Sequence, residues 1–424
     1  MKKYVTIIIV PLYHTTIINL ITMSKKILIF SLAYYPKFVG GAEVAIKEIT
    51  DRIDSKDIEF DMVSLRFDKK SPKVEKIGNV TIHRIGFTTN DPSMTDLRKF
   101  PLHLNKLLFQ FTAAWKAHKL HKKNNYDAIW GMMAHSTAVP AGLFKTFHPR
   151  VPYLLTLQEG DPPEYIERLA RPVWPLFKRG FTRADAFQPI STFLLDWGKR
   201  MGFVGYAEII PNGVDTTRFK QASKEDITLA KAALGKKNND VYLVTTSRLV
   251  KKNAVDDVIH ALKLLPKEVS FLIYGTGSDE ESLRTLATTC GVDERTRFLG
   301  YIDHTHLPHA LSACDIFIRP SRSEGMGNSF IEAMAAGLPV IATQEGGIAD
   351  FLFDAKRNPN KETTGWAVDK DSPEQIATAV QYILSHPEQV AHVMETAKRL
   401  AFEHYNWDDI ALRMNKLFKR LFVA

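Results

Sequence analysis

Short apolar runs separated by stretches of mixed polarity recur along this chain from residue 27 onward. Those at 27–31, 59–64, 80–85, 128–130 and 153–157 predict buried strands. A loop holding Pro36 and Gly40-Gly41 follows the first of them, and a helix is predicted over 42–53. The second half repeats the alternation. Strands are predicted at 241–246, 269–274, 297–299, 316–319 and 339–342, and helices at 255–265, 280–289, 307–313 and 330–336. Such alternation argues for parallel sheets joined by crossover helices. Pro211-Asn212-Gly213 is the strongest turn signal near the middle. The pattern therefore predicts two doubly wound α/β domains, 23–212 and 213–386, with a helical stretch over 387–424. In open sheets of this kind ligands bind outside the carboxyl ends of the strands, so the loops after strands are where binding residues are expected.

Two segments stand outside this alternation. Lys2 and Lys3 precede apolar runs at 5–12 and 15–21, which Pro11, His14 and Asn19 interrupt. The total is short for a bilayer span, and no small-residue cleavage site follows. Met23 lies just before the first strand, so translation is expected to begin there; a weak membrane anchor over 1–22 is the alternative. Over 98–123 come Arg98, Lys99, Lys106, Lys116, Lys119, Lys122 and Lys123, with no acid among them and with leucines, Phe109, Phe111 and Trp115 interleaved. One account is a helix with a core face and a solvated basic face. The other is an interfacial helix drawn to anionic lipid.

At 424 residues the chain suits two domains, and 45% apolar with 24% charged residues is ordinary for a soluble globular protein. Two cysteines, Cys290 and Cys314, are too few for a disulfide framework, which fits a reducing cytoplasm. The net charge of +9 favours anionic partners. No zinc-finger spacing or RNA-binding signature accompanies it, so nucleic acid is not expected as a partner.

The densest chemical signal runs over 320–347, where a strand end meets a loop with Gly325 and Gly327 that opens into a helix. Glycines let a backbone approach a ligand closely, and a helix start presents free N–H groups to an anion. Glu324 lies in the loop and Glu332 in the first turns of the helix. A carboxylate accepts two hydrogen bonds at once, which suits the vicinal hydroxyls of a ribose or hexose. A purely structural account exists for part of this: Ser329-x-x-Glu332 fits a capping box, and Gly337 with Pro339 a helix stop. It leaves Glu324, the two loop glycines and Gly346-Gly347 unexplained.

With seven residues between Glu324 and Glu332, this stretch resembles the retaining glycosyltransferases of family 4. Further matches follow in order: Gly40-Gly41-Ala42-Glu43, Pro211-Asn212-Gly213-Val214-Asp215, the run over 247–253, Gly275-Thr276-Gly277 and the run over 298–301. The resemblance implies the GT-B architecture, two Rossmann-like domains facing across a cleft, with the 387–424 helices crossing back to the first domain. It also implies roles. Arg248 and Lys252 would neutralise the donor diphosphate as it departs, with Lys251 a rival and Asn253 standing where the family commonly has the lysine. Glu324 would hold the sugar and Glu332 the ribose. Gly325, Met326, Gly327 and Asn328 would lie beside the sugar and phosphates, the main chain of Tyr301 and Ile302 would meet the base, and Gly40 and Gly41 would approach the phosphate from the other domain. Many members carry a histidine where Gln158 stands, so the acceptor side rests on His135, Gln158, Glu159 and Asp161.

The expected activity is transfer of a hexosyl group, with retention, from a UDP- or GDP-sugar to a hydroxyl of a glycan or lipid-linked acceptor. Contact with an anionic membrane surface from the cytoplasmic side is expected through 98–123. No cofactor or metal is expected, because His304, His306 and His309 have no matching carboxylate or cysteine cluster. Gly275-x-Gly277 lacks the third glycine of a dinucleotide fingerprint, which argues against NAD. The competing functions are a nucleotide-sugar epimerase of GT-B type and a non-catalytic glycan-binding relative.

Overall fold

The structure, a computed structural model, describes residues 24–423 apart from 38, 93–95, 97, 98 and 220–223. The expectations for residues 1–22 and for Arg98 lie outside the described residues. The first sheet contains β1 (Lys25–Phe30), β2 (Ile58–Leu65), β3 (Val74–Ile77), β4 (Val80–Ile85), β5 (Ala128–Met132), β6 (Tyr153–Leu157), β7 (Ala186–Pro189) and β8 (Tyr206–Ala207). The second contains β9 (Val241–Thr246), β10 (Val269–Tyr274), β11 (Thr296–Gly300), β12 (Ile316–Arg319), β13 (Val340–Ala342) and β14 (Trp366–Ala367). Around them run α1 (Gly41–Asp51), α2 (Leu102–Asn124), α3 (Ala134–Phe147), α4 (Pro163–Ala170), α5 (Trp174–Thr182), α6 (Thr192–Arg200) and α7 (Lys224–Ala233). The remaining helices are α8 (Val255–Leu262), α9 (Glu280–Thr289), α10 (Leu307–Ser312), α11 (Asn328–Ala335), α12 (Pro373–Ser385), α13 (Pro387–His404) and α14 (Trp407–Leu421).

Strand order is β3-β4-β2-β1-β5-β6-β7-β8 in one sheet and β11-β10-β9-β12-β13-β14 in the other. Pairing is parallel except between β3 and β4. The central strands are buried on both faces, as in Ile27, Leu28, Ile29 and Phe30, which is why they read as unbroken apolar runs. The direction of winding reverses between β1 and β5 and again between β9 and β12, and a crevice opens at each reversal. The loops and helix starts after those four strands carry Gly40-Gly41, His135, Arg248 to Lys252, and Glu324 to Gly327.

The strands without a prediction are the edge pieces β3, β8 and β14, and β7; helices α3 to α7 and α12 have none either. Strand β7 was hidden by Gln188, whose side chain accepts from Thr156 Oγ1 at 2.7 Å inside the core. Helix α2 buries Leu102, Phe109, Ala113, Ala117 and Leu120, but Leu107, Leu108, Phe111 and Trp115 are exposed. Its apolar residues therefore do not all form the core face. Alanines take the inner positions because α3 packs closely there. Beyond residue 387, α13 stays against α11 and α12, and α14 returns to pack on α1. There Phe418 sits edge-on to Phe60 and Trp130, with ring centroids 5.7 and 5.1 Å apart. The two chain crossings run side by side, Val214 N–H donating to Tyr405 O at 2.7 Å.

Candidate active site

At the end of β12, Arg319 points into the protein and organises the loop that follows. Its Nη2 donates to Glu324 Oε2, its Nη1 to Ser329 Oγ at 2.8 Å and its Nε to Ser321 Oγ at 3.1 Å. The guanidinium lies 4.3 Å from the centre of the Phe330 ring and is buried. A buried cation with its fork filled in this way holds the carboxylate in one orientation. Glu324 Oε1 then accepts from Gly325 N–H at 3.1 Å. Gly327, with φ +87°, turns the chain into α11 without a side-chain cap, so first-turn N–H groups are left to an anion.

The capping-box account of Ser329 and Glu332 does not hold, because both side chains are engaged elsewhere: Ser329 by Arg319, and Glu332 Oε1 by His304 Nδ1 at 3.1 Å. Gly346 and Gly347 serve packing. Gly347 N–H donates to Glu324 O at 3.0 Å, and a Cβ on either glycine would collide with the 324–325 backbone. The Met326 side chain belongs to the core, leaving its main chain to face the loop.

Arg248 and Lys252 follow β9. The turn Lys251–Asn253 is braced by Asn253 Nδ2 donating to Arg248 O and by Arg322, whose N–H reaches Lys252 O and whose Nη1 reaches Lys251 O, all at 2.7 Å. Arg322 is held in turn by Asp256, Asp257 and Asp371. Lys251 is exposed, while the Lys252 ammonium turns inward to 3.6 Å from Asp161. Burial pulls the Lys252 ammonium below its usual pKa; Glu324 and Asp161 oppose this, and Arg248 and Arg319 add to it.

The first domain closes over these cations. Gly41 faces Asn328 across the cleft, and Gly40 N–H donates to Glu43 Oε2 at 2.7 Å. Glu43, which no motif singled out as a charge in the cleft, has its carboxyl raised by burial, against the pull of Gly40 N–H, His135 and Arg248. A Cβ on Gly160 would lie 2.5 Å from Lys252 Nζ and 2.9 Å from Glu324 Oε1. Gly160→Val is therefore expected to prop the cleft open. The donor KM should rise at least about tenfold, since even small displacements at a site are costly, while the urea midpoint stays near wild type. Steady-state kinetics and urea unfolding check both.

On the acceptor side, Gln158 and Asn212 exchange amide hydrogen bonds at 3.0 Å, and Asn212 Nδ2 also donates to Asn328 Oδ1 at 3.1 Å. The buried Glu159 carboxylate accepts from Gln158 N–H at 2.9 Å and from His135 N–H at 3.1 Å, where it caps α3. Both side chains are thus spent on the scaffold. His135, with Nδ1 3.7 Å from Glu159, and Asp161, opposite Lys252, stay partly open to the cleft. Tyr301 is exposed and Ile302 partly buried on the loop after β11. That loop carries His304, which now meets a carboxylate; His306 bonds Asp303 at 2.8 Å. Among the described residues no group of three or more His, Cys, Asp and Glu is placed to hold a metal ion.

Two doubly wound domains closing on a cation-lined helix start define the GT-B class of glycosyltransferases. The model of "Glycosyltransferase Family 4" matches residues 39–218 and that of "Glycosyl transferases group 1" residues 226–400. The chain belongs to the family 4 glycosyltransferases. Over 218 residues it is 32% identical to the GDP-mannose-dependent alpha-(1-6)-phosphatidylinositol monomannoside mannosyltransferase of Mycobacterium tuberculosis, covering 49% of this chain and 54% of that one. The GDP-mannose-dependent monoacylated alpha-(1-6)-phosphatidylinositol monomannoside mannosyltransferase of Corynebacterium glutamicum is 28% identical over 56% of this chain and 63% of its own. The match thus spans roughly half to two thirds of these relatives. Sucrose-phosphate synthase from Thermosynechococcus elongatus superposes with TM-score 0.76 at 21% identity, over 94% of this chain and 99% of that one. The Anabaena HepE structure in complex with UDP and glucose gives 0.72 at 20%, over 93% and 100%. These two likenesses establish the fold.

Proposed function

We propose that this protein transfers a hexosyl group from a UDP- or GDP-sugar to a hydroxyl of a glycan or lipid-linked acceptor, with retention at the anomeric carbon. The convergence of Lys252, Glu324 and the glycine of the opposing domain, Gly160, carries this conclusion. A donor diphosphate set on the α11 start would lie between Arg248 and Lys252. As the glycosidic bond breaks, charge grows on the departing phosphate, and preplaced cations stabilise that charge more than they stabilise the bound donor. They supply the positive charge the step requires, so no metal or cofactor is called for. Glu324 would hold sugar hydroxyls and Glu332 the ribose. The relatives' GDP-mannose and lipid-headgroup substrates support a nucleotide-sugar donor and an acceptor at the cell envelope.

A panel of UDP- and GDP-sugars, followed for nucleoside diphosphate release with and without envelope glycans and lipids, tests this. Acceptor-dependent release and a product keeping the donor's anomeric configuration by NMR are expected. An epimerised nucleotide sugar formed from donor alone would replace transfer with epimerisation. Binding of a glycan without release from any donor would leave a non-catalytic relative.

The exposed face of α2 supports membrane contact from the cytoplasmic side. Leu107, Leu108, Phe111 and Trp115 recur on one face and lead into exposed Lys119 and Lys122, with Lys119 Nζ 3.6 Å above the Trp115 ring. Apolar insertion and anionic headgroups would answer these two halves. Among the described residues no helix is long and apolar enough to cross a membrane. In flotation assays, Phe111→Ser with Trp115→Ser is expected to weaken binding to anionic vesicles about tenfold or more. Unchanged flotation would remove the contact.

A further inference from the structure

His304 enters the cleft from the loop after β11, beyond Gly300, whose φ of +75° turns the chain there. Its side chain is 46% exposed, and it reaches a Glu332 side chain that is only 11% exposed. The groups facing it come from three parts of the molecule: Glu332 on α11, Glu48 on α1 and Arg218 on the chain between the domains. Glu48 is itself paired with Arg52. One oxygen of Glu332 is thus occupied by an imidazole that can carry charge, at the carboxylate assigned to the nucleotide ribose.

We propose that His304 is a positioning residue for the donor nucleotide. Its Nδ1–H fixes Glu332 Oε1, leaving Oε2 to a ribose hydroxyl, and its positive charge, when present, offsets the carboxylate beside an anionic diphosphate. This rests on the donor-site assignment above and extends it to a residue that acts through Glu332. The Glu332 hydrogen bond raises the His304 pKa above the usual imidazole value; burial and Arg218 oppose this, and Glu48 adds to it. A raised histidine is charged below its folded pKa and loses the proton as pH climbs through it. Its help to nucleotide binding is therefore present near and below neutrality and fades on the alkaline side.

The ligand's terminal phosphate also titrates, and burial raises the Glu43 carboxyl, so the informative quantity is the difference between variants. Calorimetry with UDP and GDP from about pH 6 to about pH 9 would compare wild type, His304→Gln and His304→Ala. Glutamine keeps an N–H for Glu332 but cannot charge. The wild-type advantage in Kd over His304→Gln is expected to be about three- to tenfold at the acid end, as for one added charge in a partly solvated cleft, and to vanish at the alkaline end. His304→Ala should bind more weakly at every pH. Parallel wild-type and His304→Gln curves would overturn the positioning role while leaving the donor site intact. If neither nucleotide bound wild type at any pH, the donor-site assignment would fall first and this proposal with it.

Discussion

Replacing Arg319 with methionine is expected to destabilise the protein by about 3–5 kcal/mol, the usual cost of stranding one partner of a buried ion pair. The buried guanidinium holds Glu324 and two serine hydroxyls, Ser321 and Ser329. Methionine fills the volume but leaves the carboxylate without that partner. Urea unfolding at neutral pH measures the loss, and transferase activity should disappear because Glu324 no longer has a fixed orientation. Arg319→Lys keeps a charge without the fork and should recover only part of the stability. Adding Glu324→Gln to Arg319→Met removes the unpaired charge, so stability should partly return while activity does not. If Arg319→Met unfolded within about 1 kcal/mol of wild type, a typical surface-mutation scale, the pair would have no such role.

Lys252→Ala is expected to lower kcat by about 10²–10³ at saturating donor, the scale for losing one preplaced stabilising group. The affinity for the free nucleoside diphosphate should fall less, because the charge on the leaving group is greatest as the bond breaks. The same change at Lys251 should alter kcat less than about twofold, since that side chain is exposed and only its carbonyl braces the turn. Steady-state kinetics of the two variants separate them. Equal losses in both, or none in Lys252→Ala, would remove the leaving-group role from Lys252.

The fold and half of the candidate site were legible because their signals are local. Buried parallel strands advertise themselves as apolar runs, and Gly325, Gly327, Glu324 and Glu332 lie within one strand-loop-helix segment. Edge strands such as β14 have too few residues to leave a pattern. Arg319 was hidden because an arginine ending a buried strand looks like an entry to solvent until its partners are seen. In the sequence His304 suggests only a metal ligand, since nothing in the loop indicates that Glu332, 28 positions away, faces it.

By itself the sequence determined the two-domain α/β plan, the glycine-rich helix start and the spacing of the acid pair, all consequences of periodicity and backbone chemistry within a few turns of chain. Only the tertiary structure decided which side chains are free to act. It turned Lys252 inward, spent Gln158 on Asn212 and Glu159 on the start of α3, and placed Gly160 directly against the Lys252 ammonium and the Glu324 carboxylate. Contacts such as Ser323 Oγ donating to Gly160 O, 163 positions apart, exist because the domains close on each other. Whether a polar group is spent or available depends on desolvation and partner geometry, and both are set by that closure.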